Sequence, residues 1–197
     1  LAAQGDSPDV WKSNLELLMK AIPDTVPLGL YECPYPYKRL ISDEELDFCA
    51  KTERFLFLKD TCCDISLIEK RLHITSGKKL RLFNANTATL LDSLKLGGAG
   101  FSGVMANFHP ELYAWLLNNW RNQPQKAELL QAVLTLCSQI EKQLYPVNAK
   151  VYLEGEGVPI KSICRTKSHY DMLPLYKSEI EQMRRLTTWI KNELLCP

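Results

Sequence analysis

A lysine at the carboxyl end of a short apolar run is the residue in this sequence best placed for covalent chemistry. Residues 55–60 read Phe-Leu-Phe-Leu-Lys-Asp, a pattern typical of a buried parallel strand. An amine held there among apolar groups loses solvation of its ammonium form, so its pKa falls and it can attack a carbonyl to form a Schiff base. The alternative is that Lys59 extends to solvent or pairs with Asp60.

A tyrosine stands at the end of the preceding apolar run. Tyr31 is followed by Glu32, and a phenol near a reactive amine can pass protons to and from substrate oxygens. Tyr31 could equally be a wall residue whose hydroxyl bonds the backbone. If the two runs are neighbouring strands, Tyr31 and Lys59 together predict carbonyl chemistry through an imine.

Four apolar runs that alternate with helical patterns must position these two side chains. We predict strands at 27–33, 55–60, 80–84 and 100–106, and helices at 8–22, 42–52, 65–74 and 87–96. Ser42 followed by Glu45 fits a capping box at the start of one helix. This alternation indicates an α/β fold with a parallel sheet.

The pattern changes after the fourth strand and becomes helical. We predict helices at 109–120, 125–145 and 177–195, with a short one at 159–165. A Gly-rich dinucleotide turn after the first strand is missing, which disfavours a doubly wound sheet. Four strands are half of an eight-stranded barrel. We therefore predict the second half of a (β/α)8 TIM barrel at 1–121, followed by a carboxyl-terminal helical bundle at 122–197.

Other strand ends offer polar groups and flexible backbone. Asn84 and Asn86 follow the third strand, and they are candidates either for the site or for shaping the next turn. The segment 97–103 is glycine-rich and ends in Ser102 and Gly103. It could bring backbone amides close to a small carboxylate, or it could simply connect a helix tightly to a strand. The tyrosines at 31, 35 and 37 could line a sugar site or pack the mouth of the barrel.

Composition excludes several classes of partner. Lys and Arg number 24 against 23 Asp and Glu, a formal charge of +1, so nothing favours nucleic acid or an anionic membrane. No apolar stretch approaches the roughly 18 residues that span a bilayer. The seven cysteines lack zinc-site spacing and indicate reduced thiols in the cytoplasm. No histidine has a metal partner at ligand spacing, so we predict neither a metal nor a cofactor.

The order of these motifs resembles the Schiff-base aldolases and lyases typified by dihydrodipicolinate synthase and N-acetylneuraminate lyase. The segment 30–34, Leu-Tyr-Glu-Cys-Pro, is similar to that family's Tyr-x-x-Pro strand end. The segment 57–61 is similar to its lysine strand, and 97–107 to its Gly-rich strand. The helical tail is also similar, including Val-Pro-Ile-Lys at 158–161.

The resemblance implies a (β/α)8 barrel, often tetrameric, that condenses or cleaves 2-keto acids through a pyruvate imine. It implies that Lys59 is the Schiff-base lysine and that Tyr31 relays protons. The implied partners are a 2-keto acid and an aldehyde, in a homo-oligomer that is a tetramer or dimer. The implied substrate contacts are at Thr61, Ala85, Asn86, Ser102 and Gly103. The family's carboxylate-binding Ser/Thr pair belongs to the first three strands, which this sequence does not contain.

Two departures from the family pattern narrow the expected substrate. Dihydrodipicolinate synthases usually carry an arginine where this sequence has Pro36, although Lys38 and Arg39 follow. Sialic-acid lyases carry a glycine and an acidic pair where this sequence has Ala85, Thr87 and Ala88. We therefore expect a different specificity within the family.

Two further interpretations stay open from the sequence. The altered positions are also compatible with a non-catalytic protein that binds a keto acid or sugar acid on the same scaffold. The chain is also compatible with a fragment that becomes stable only by association, because half a barrel exposes strand edges.

Overall fold

The computed structural model describes residues 1, 3, 5–35 and 37–195. They form two compact units, Leu1–Ser102 and Gly103–Pro197. This division falls earlier than the boundary after residue 121 that the sequence pattern suggests.

The first unit alternates helices with parallel strands. Its elements are α1 (Pro8–Ala21), β1 (Leu28–Tyr31), α2 (Asp43–Lys51), β2 (Phe55–Asp60), α3 (Ile65–Thr75), β3 (Arg81–Asn84), α4 (Leu90–Lys95) and β4 (Gly100–Phe101). The four strands form one parallel sheet in the order β1-β2-β3-β4. Each connection crosses over through a helix, as parallel pairing requires. The alternating pattern predicted from the sequence is therefore confirmed.

One face of the sheet is buried against the helices. Leu30, Leu58 and Leu82 are paired across β1, β2 and β3, and none is more than 9% exposed. Leu46 and Ile68, from α2 and α3, belong to the same core and are fully buried. Because successive strand residues point to opposite faces, the residues between these leucines point away from this core.

The opposite face carries the functional candidates. Tyr31, Lys59 and Phe83 are paired across β1, β2 and β3. The ring of Phe83 also stacks on the ring of Phe57, with centroids 4.7 Å apart. This face is therefore aromatic around the lysine.

The capping box predicted at α2 is present. Ser42 Oγ accepts a hydrogen bond from the Glu45 amide at 3.2 Å, and a Glu45 carboxylate oxygen accepts from the Ser42 amide at 2.9 Å. The two bonds satisfy amide groups that a helix start otherwise leaves unpaired. They fix where α2 begins, directly after the loop that leaves β1.

The connection from α4 to β4 depends on two glycines. Gly97 has φ +103°, a left-handed conformation that glycine adopts without strain. The Gly98 amide donates to the Ser93 carbonyl at 2.7 Å, and a Cβ on Gly98 would lie 2.8 Å from that oxygen. These contacts favour the tight-connection interpretation of the glycine-rich segment.

The fourth strand is shorter than the sequence predicts. β4 contains only Gly100 and Phe101, and Val104–Asn107 form a 3-10 helix. Pairing with β3 ends at Asn84 and Phe101. The prediction of a strand to residue 106 was wrong because the apolar Val104 and Met105 belong to a helical turn, in which Met105 is buried.

The second unit is helical in the residues described. It contains α5 (Pro110–Asn119), α6 (Pro124–Cys137), α7 (Val147–Gly155) and α8 (Pro174–Leu195), with 3-10 turns at Val104–Asn107, Ser138–Lys142 and His169–Asp171. The helix predicted at 159–165 is absent from the structure. The helix instead lies at α7, where Val147, Ala149 and Tyr152 are buried. Gly157, at φ +84°, follows its end as a left-handed glycine commonly does.

A buried histidine stands before α5. His109 is fully buried, and neither ring nitrogen has a hydrogen-bond partner among the described residues. Its ring stacks on Tyr113 with centroids 5.7 Å apart and lies 6.0 Å from the Tyr152 ring. Burial, with a smaller contribution from the positive charge of Lys191, lowers the pKa of His109 to about 3. The sequence-based expectation of a structural or exposed histidine is compatible with this environment.

The neutral His109 predicts acid sensitivity. In the unfolded chain a histidine titrates near 6.5, so between about pH 6.5 and 3 the unfolded state binds a proton that the folded state does not. The contribution of His109 to the free energy of unfolding is therefore complete above about pH 6.5. It is lost on acidification, by roughly 1.4 kcal/mol per pH unit within this window. Urea unfolding between pH 7 and 4 should show a smaller loss for His109→Phe than for wild type. The exposed His73→Phe is the control, and equal acid sensitivity in all three proteins would contradict this assignment.

Three further observations concern the described residues. No helix there is long and apolar enough to cross a membrane. Six cysteines are unpaired: Cys33, Cys49, Cys62, Cys63, Cys137 and Cys164. No group of three or more His, Cys, Asp or Glu side chains there is arranged to hold a metal ion.

Candidate active site

Tyr31 and Lys59 are direct cross-strand neighbours. β1 and β2 pair in parallel, with Tyr31 opposite Lys59 in the register. Lys59 Nζ lies 4.3 Å from the centroid of the Tyr31 ring, within the range of a cation–π contact. The structure therefore brings together the amine and the phenol that the sequence placed at successive strand ends.

The two side chains differ in how far they are covered. The Tyr31 side chain is 53% exposed, whereas Lys59 is half-buried. The apolar enclosure that the sequence suggested for Lys59 is only partial among the described residues. Among the described residues, the phenol is thus more open to solvent than the amine.

The residues that follow this pair in sequence belong to a buried cluster of charges, which we call the Arg71 cluster: Glu32, Asp60 and Arg71. Their side chains are at most 4% exposed. Arg71 donates from Nη2 to Glu32 Oε1 at 2.6 Å and from Nη1 to Glu32 Oε2 at 3.1 Å. Nη1 also donates to Asp60 Oδ2. One guanidinium thus bridges the two carboxylates that immediately follow Tyr31 and Lys59.

Backbone amides complete the Arg71 cluster. Glu32 accepts from the amides of Ile41 at 2.8 Å and Thr61 at 2.9 Å, and Asp60 accepts from the Cys62 amide at 2.9 Å. Burial opposes the charge of Arg71, but the two carboxylates more than offset it and raise its pKa above the ordinary value.

Sequence reasoning missed the role of Arg71. Ile68, Arg71 and Thr75 form the buried stripe of α3, at the spacing of one helix face. A charged residue in such a stripe must find partners, because an unpaired buried charge is strongly unfavourable. An arginine in the apolar stripe of a predicted helix was therefore the sequence feature that could have indicated a buried ion pair.

Thr61 ties the ends of β1 and β2 together. Its hydroxyl donates to the Glu32 carbonyl at 2.8 Å, and its amide donates to the Glu32 carboxylate. The Thr61 side chain is therefore committed to the scaffold beside Lys59. Its predicted contact with substrate stays a prediction.

The residues after β3 shape a turn. Asn84 is buried, and its side-chain oxygen accepts from the Asn86 amide at 2.7 Å while its nitrogen donates to Thr89 Oγ1 at 2.8 Å. Asn86 Oδ1 in turn accepts from the Thr89 amide at 3.1 Å. Ala85 lies between them and is half-buried. The turn-forming interpretation of the two asparagines describes these contacts, and substrate contacts of Ala85 and Asn86 stay predictions.

Ser102 continues the edge of the sheet where β4 ends. Its amide donates to the Asn84 carbonyl at 2.8 Å, and its side chain is half-buried. Gly103, the other predicted backbone contact, begins the second unit.

The aromatic residues after β1 line a separate cleft. A cleft of about 580 Å³ runs beside β1 and is lined by Tyr31, Tyr35, Tyr37, Trp11 and Arg39, among others. Lys59 is not among the described residues that line it. The three tyrosines therefore line one cleft beside β1. Of these, Tyr31 also belongs to the candidate pair with Lys59.

Arg39 is already paired. Its guanidinium donates to both carboxylate oxygens of Glu45, at 2.5 and 3.1 Å, and lies 5.6 Å from the Trp11 ring centroid. Lys38 is exposed, and Pro36 is outside the described residues. The two basic residues near the position of the family's arginine thus offer one surface lysine and one arginine engaged in a bidentate pair.

Comparison with known proteins decides the family. The model described as the dihydrodipicolinate synthetase family matches residues 14–189. The chain belongs to this family. A relative in Rickettsia rickettsii named 4-hydroxy-tetrahydrodipicolinate synthase is 28% identical over 137 residues, which are 69% of this chain and 43% of that protein. The chain thus spans less than half the length of this relative.

Solved structures of the dihydrodipicolinate synthetase family share the fold. YagE, a prophage protein of Escherichia coli K12 crystallised with pyruvate, gives a TM-score of 0.77 at 21% identity, over 95% of this chain and 63% of YagE. Dihydrodipicolinate synthase DapA-2 from Bacillus anthracis gives 0.81 at 14% identity, over 93% of this chain and 62% of that protein. With the parallel sheet, these similarities establish an α/β fold of the TIM-barrel type.

Proposed function

We propose that this chain carries the catalytic residues of a class I lyase that condenses or cleaves a pyruvate-type 2-keto acid with an aldehyde. Lys59 is the amine that forms the Schiff base, and Tyr31 is the proton relay. The observation that carries this proposal is their direct cross-strand pairing, with Nζ 4.3 Å from the ring centroid. Membership of the dihydrodipicolinate synthetase family supports a pyruvate-dependent reaction.

The proposed first step is imine formation. The neutral Lys59 amine attacks the keto carbon, and loss of one water from the resulting carbinolamine gives the imine. The protonated imine draws electrons from the neighbouring carbon, so a proton can leave there and the resulting enamine can attack an aldehyde. The Tyr31 hydroxyl is proposed to give the proton that the aldehyde oxygen needs as the carbon–carbon bond forms.

We propose that Thr61, Ala85, Asn86, Ser102 and Gly103 border the keto acid. Thr61 flanks Lys59 and is held by Glu32, while Ala85 and Ser102 follow the next two strands. Carboxyl ends of parallel strands lie at one edge of the sheet, where barrel enzymes bind substrates. Because Arg39 is already engaged by Glu45, we infer that the aldehyde carries no carboxylate for Arg39 to bind.

We also propose a homo-oligomer, in which the helices α5–α8 form the carboxyl-terminal extension of the barrel. Membership of the dihydrodipicolinate synthetase family, whose barrels are often tetrameric, supports this proposal.

Reductive trapping tests the proposal. Borohydride added to the full-length protein with pyruvate should reduce the imine and add one pyruvate-derived group per chain, located on Lys59 by peptide mass spectrometry. Borohydride alone is the control. Pyruvate binding measured by calorimetry with no trapped adduct would instead favour a non-catalytic keto-acid-binding protein.

A further inference from the structure

The Arg71 cluster joins the two strand ends that carry the candidate catalytic pair. Glu32 directly follows Tyr31, Asp60 directly follows Lys59, and both carboxylates bind one guanidinium. Arg71 comes from α3, the helix between β2 and β3. Arg71, which lies outside the sheet, thus connects the residues that follow Tyr31 in β1 and Lys59 in β2.

Arginine suits this position better than other cations. Its planar group presents several donors in a fixed fork, whereas a lysine is a single point charge on a flexible stem. Here both terminal nitrogens are used, and Nη2 also donates to the Ile41 carbonyl at 3.2 Å. The guanidinium therefore fixes the distance and orientation of the two carboxylates relative to each other.

The backbone around the Arg71 cluster adds to the same constraint. The Glu32 amide donates to the Lys59 carbonyl at 3.4 Å, and Thr61 donates twice to Glu32. Pairing of β1 with β2 already has an irregularity between Leu28 and Gly29. Because a slip of one residue would move Tyr31 or Lys59 to the other face of the sheet, the register at this end matters for the site.

We propose that Arg71 is a positioning residue, which holds the ends of β1 and β2 in the register that keeps Tyr31 beside Lys59. This inference rests on the proposed function. Arg71 acts through Glu32 and Asp60, since it binds both carboxylates and is 1% exposed. Misplacing a reacting group by about 1 Å can slow a reaction by 10²-fold, so loss of the cluster should slow imine formation.

Two variants separate positioning from folding. Removing one partner of a buried ion pair leaves an uncompensated charge, whereas replacing the whole set with neutral residues is often tolerated. The first variant is therefore the triple substitution Glu32→Gln, Asp60→Asn and Arg71→Met. The second is Arg71→Lys, which keeps the charge but loses the fork, so it tests the proposal even if the triple variant does not fold.

Arg54→Met is the matched control. Arg54 precedes β2 at the opposite end of the sheet and donates to the carbonyls of Met19, Ile22 and Pro23. This variant loses an arginine with several partners, so it should lower thermal stability without changing the rate of trapping.

The measurement is the borohydride-trapping rate of full-length protein at a series of pyruvate concentrations, normalised to the folded fraction from circular dichroism. We expect the maximal rate to fall roughly 10- to 100-fold in the triple variant and about tenfold in Arg71→Lys. The half-saturating pyruvate concentration should change less than about threefold, because Glu32, Asp60 and Arg71 are not among the residues proposed to border the keto acid.

The results with the variants test the positioning role of Arg71, and the result with wild-type protein tests the role of Lys59. A folded variant of either kind that traps pyruvate at the wild-type rate would overturn the positioning role, as would an equal slowing in Arg54→Met. Failure of wild-type protein to trap pyruvate would refute the role of Lys59, and the positioning inference would fall with it.

Discussion

Lys59→Ala is expected to abolish turnover and the borohydride-dependent adduct together. Removing the nucleophile from a covalent mechanism costs on the order of 10⁶ in kcat. Alanine also removes the charge over the Tyr31 ring, so Lys59→Arg is the sharper variant. Arginine keeps a cation that can contact the ring but cannot supply a neutral amine near pH 7.

Activity and adduct mass should be measured on the same preparations of these lysine variants. Lys51→Ala is the matched control, because Lys51 is an exposed lysine at the end of α2 in the same unit. It should trap pyruvate like wild type. An adduct that persists in Lys59→Arg would show that another amine carries the chemistry.

Tyr31→Phe is expected to separate the two halves of the reaction. Phenylalanine retains the ring beneath the Lys59 amine and loses only the hydroxyl. Imine trapping should therefore continue, while the carbon–carbon step should slow by about 10²- to 10⁴-fold, the usual contribution of a general acid or base.

The comparison needs an aldehyde, which a screen of small aldehydes for pyruvate consumption by wild-type protein would supply. Tyr170→Phe is the control, since Tyr170 is 87% exposed in the second unit and should react like wild type. Unchanged turnover in Tyr31→Phe would exclude the proton-relay role, and loss of trapping would assign Tyr31 to the imine step instead.

Local sequence patterns predicted the parts of the fold that local physics determines. The apolar run at 55–60 is β2 with the same bounds, and Ser42 with Glu45 caps α2. The proximity of Tyr31 and Lys59 followed from two strand ends and from the rule that parallel strands align them.

Long-range contacts were not predictable in the same way. Arg71 lies 39 positions after Glu32, and nothing in either local segment specifies that partner. The prediction of a helix at 159–165 was wrong for a related reason. The helix in this region is α7, which buries Tyr152 in the second unit. Such choices depend on packing, which periodicity does not encode.

The pairing of Arg39 with Glu45 makes Arg39 costly to recruit for binding a ligand carboxylate. Arg39 is the nearest arginine in sequence to the Tyr-x-x-Pro segment, and recruiting it would leave Glu45 without its cation. Glu45 is buried at the start of α2, where it closes the capping box, so the same change would leave a buried carboxylate uncompensated there. The exposed Lys38, or a newly acquired base, is therefore easier to direct at an anionic ligand than the arginine already present.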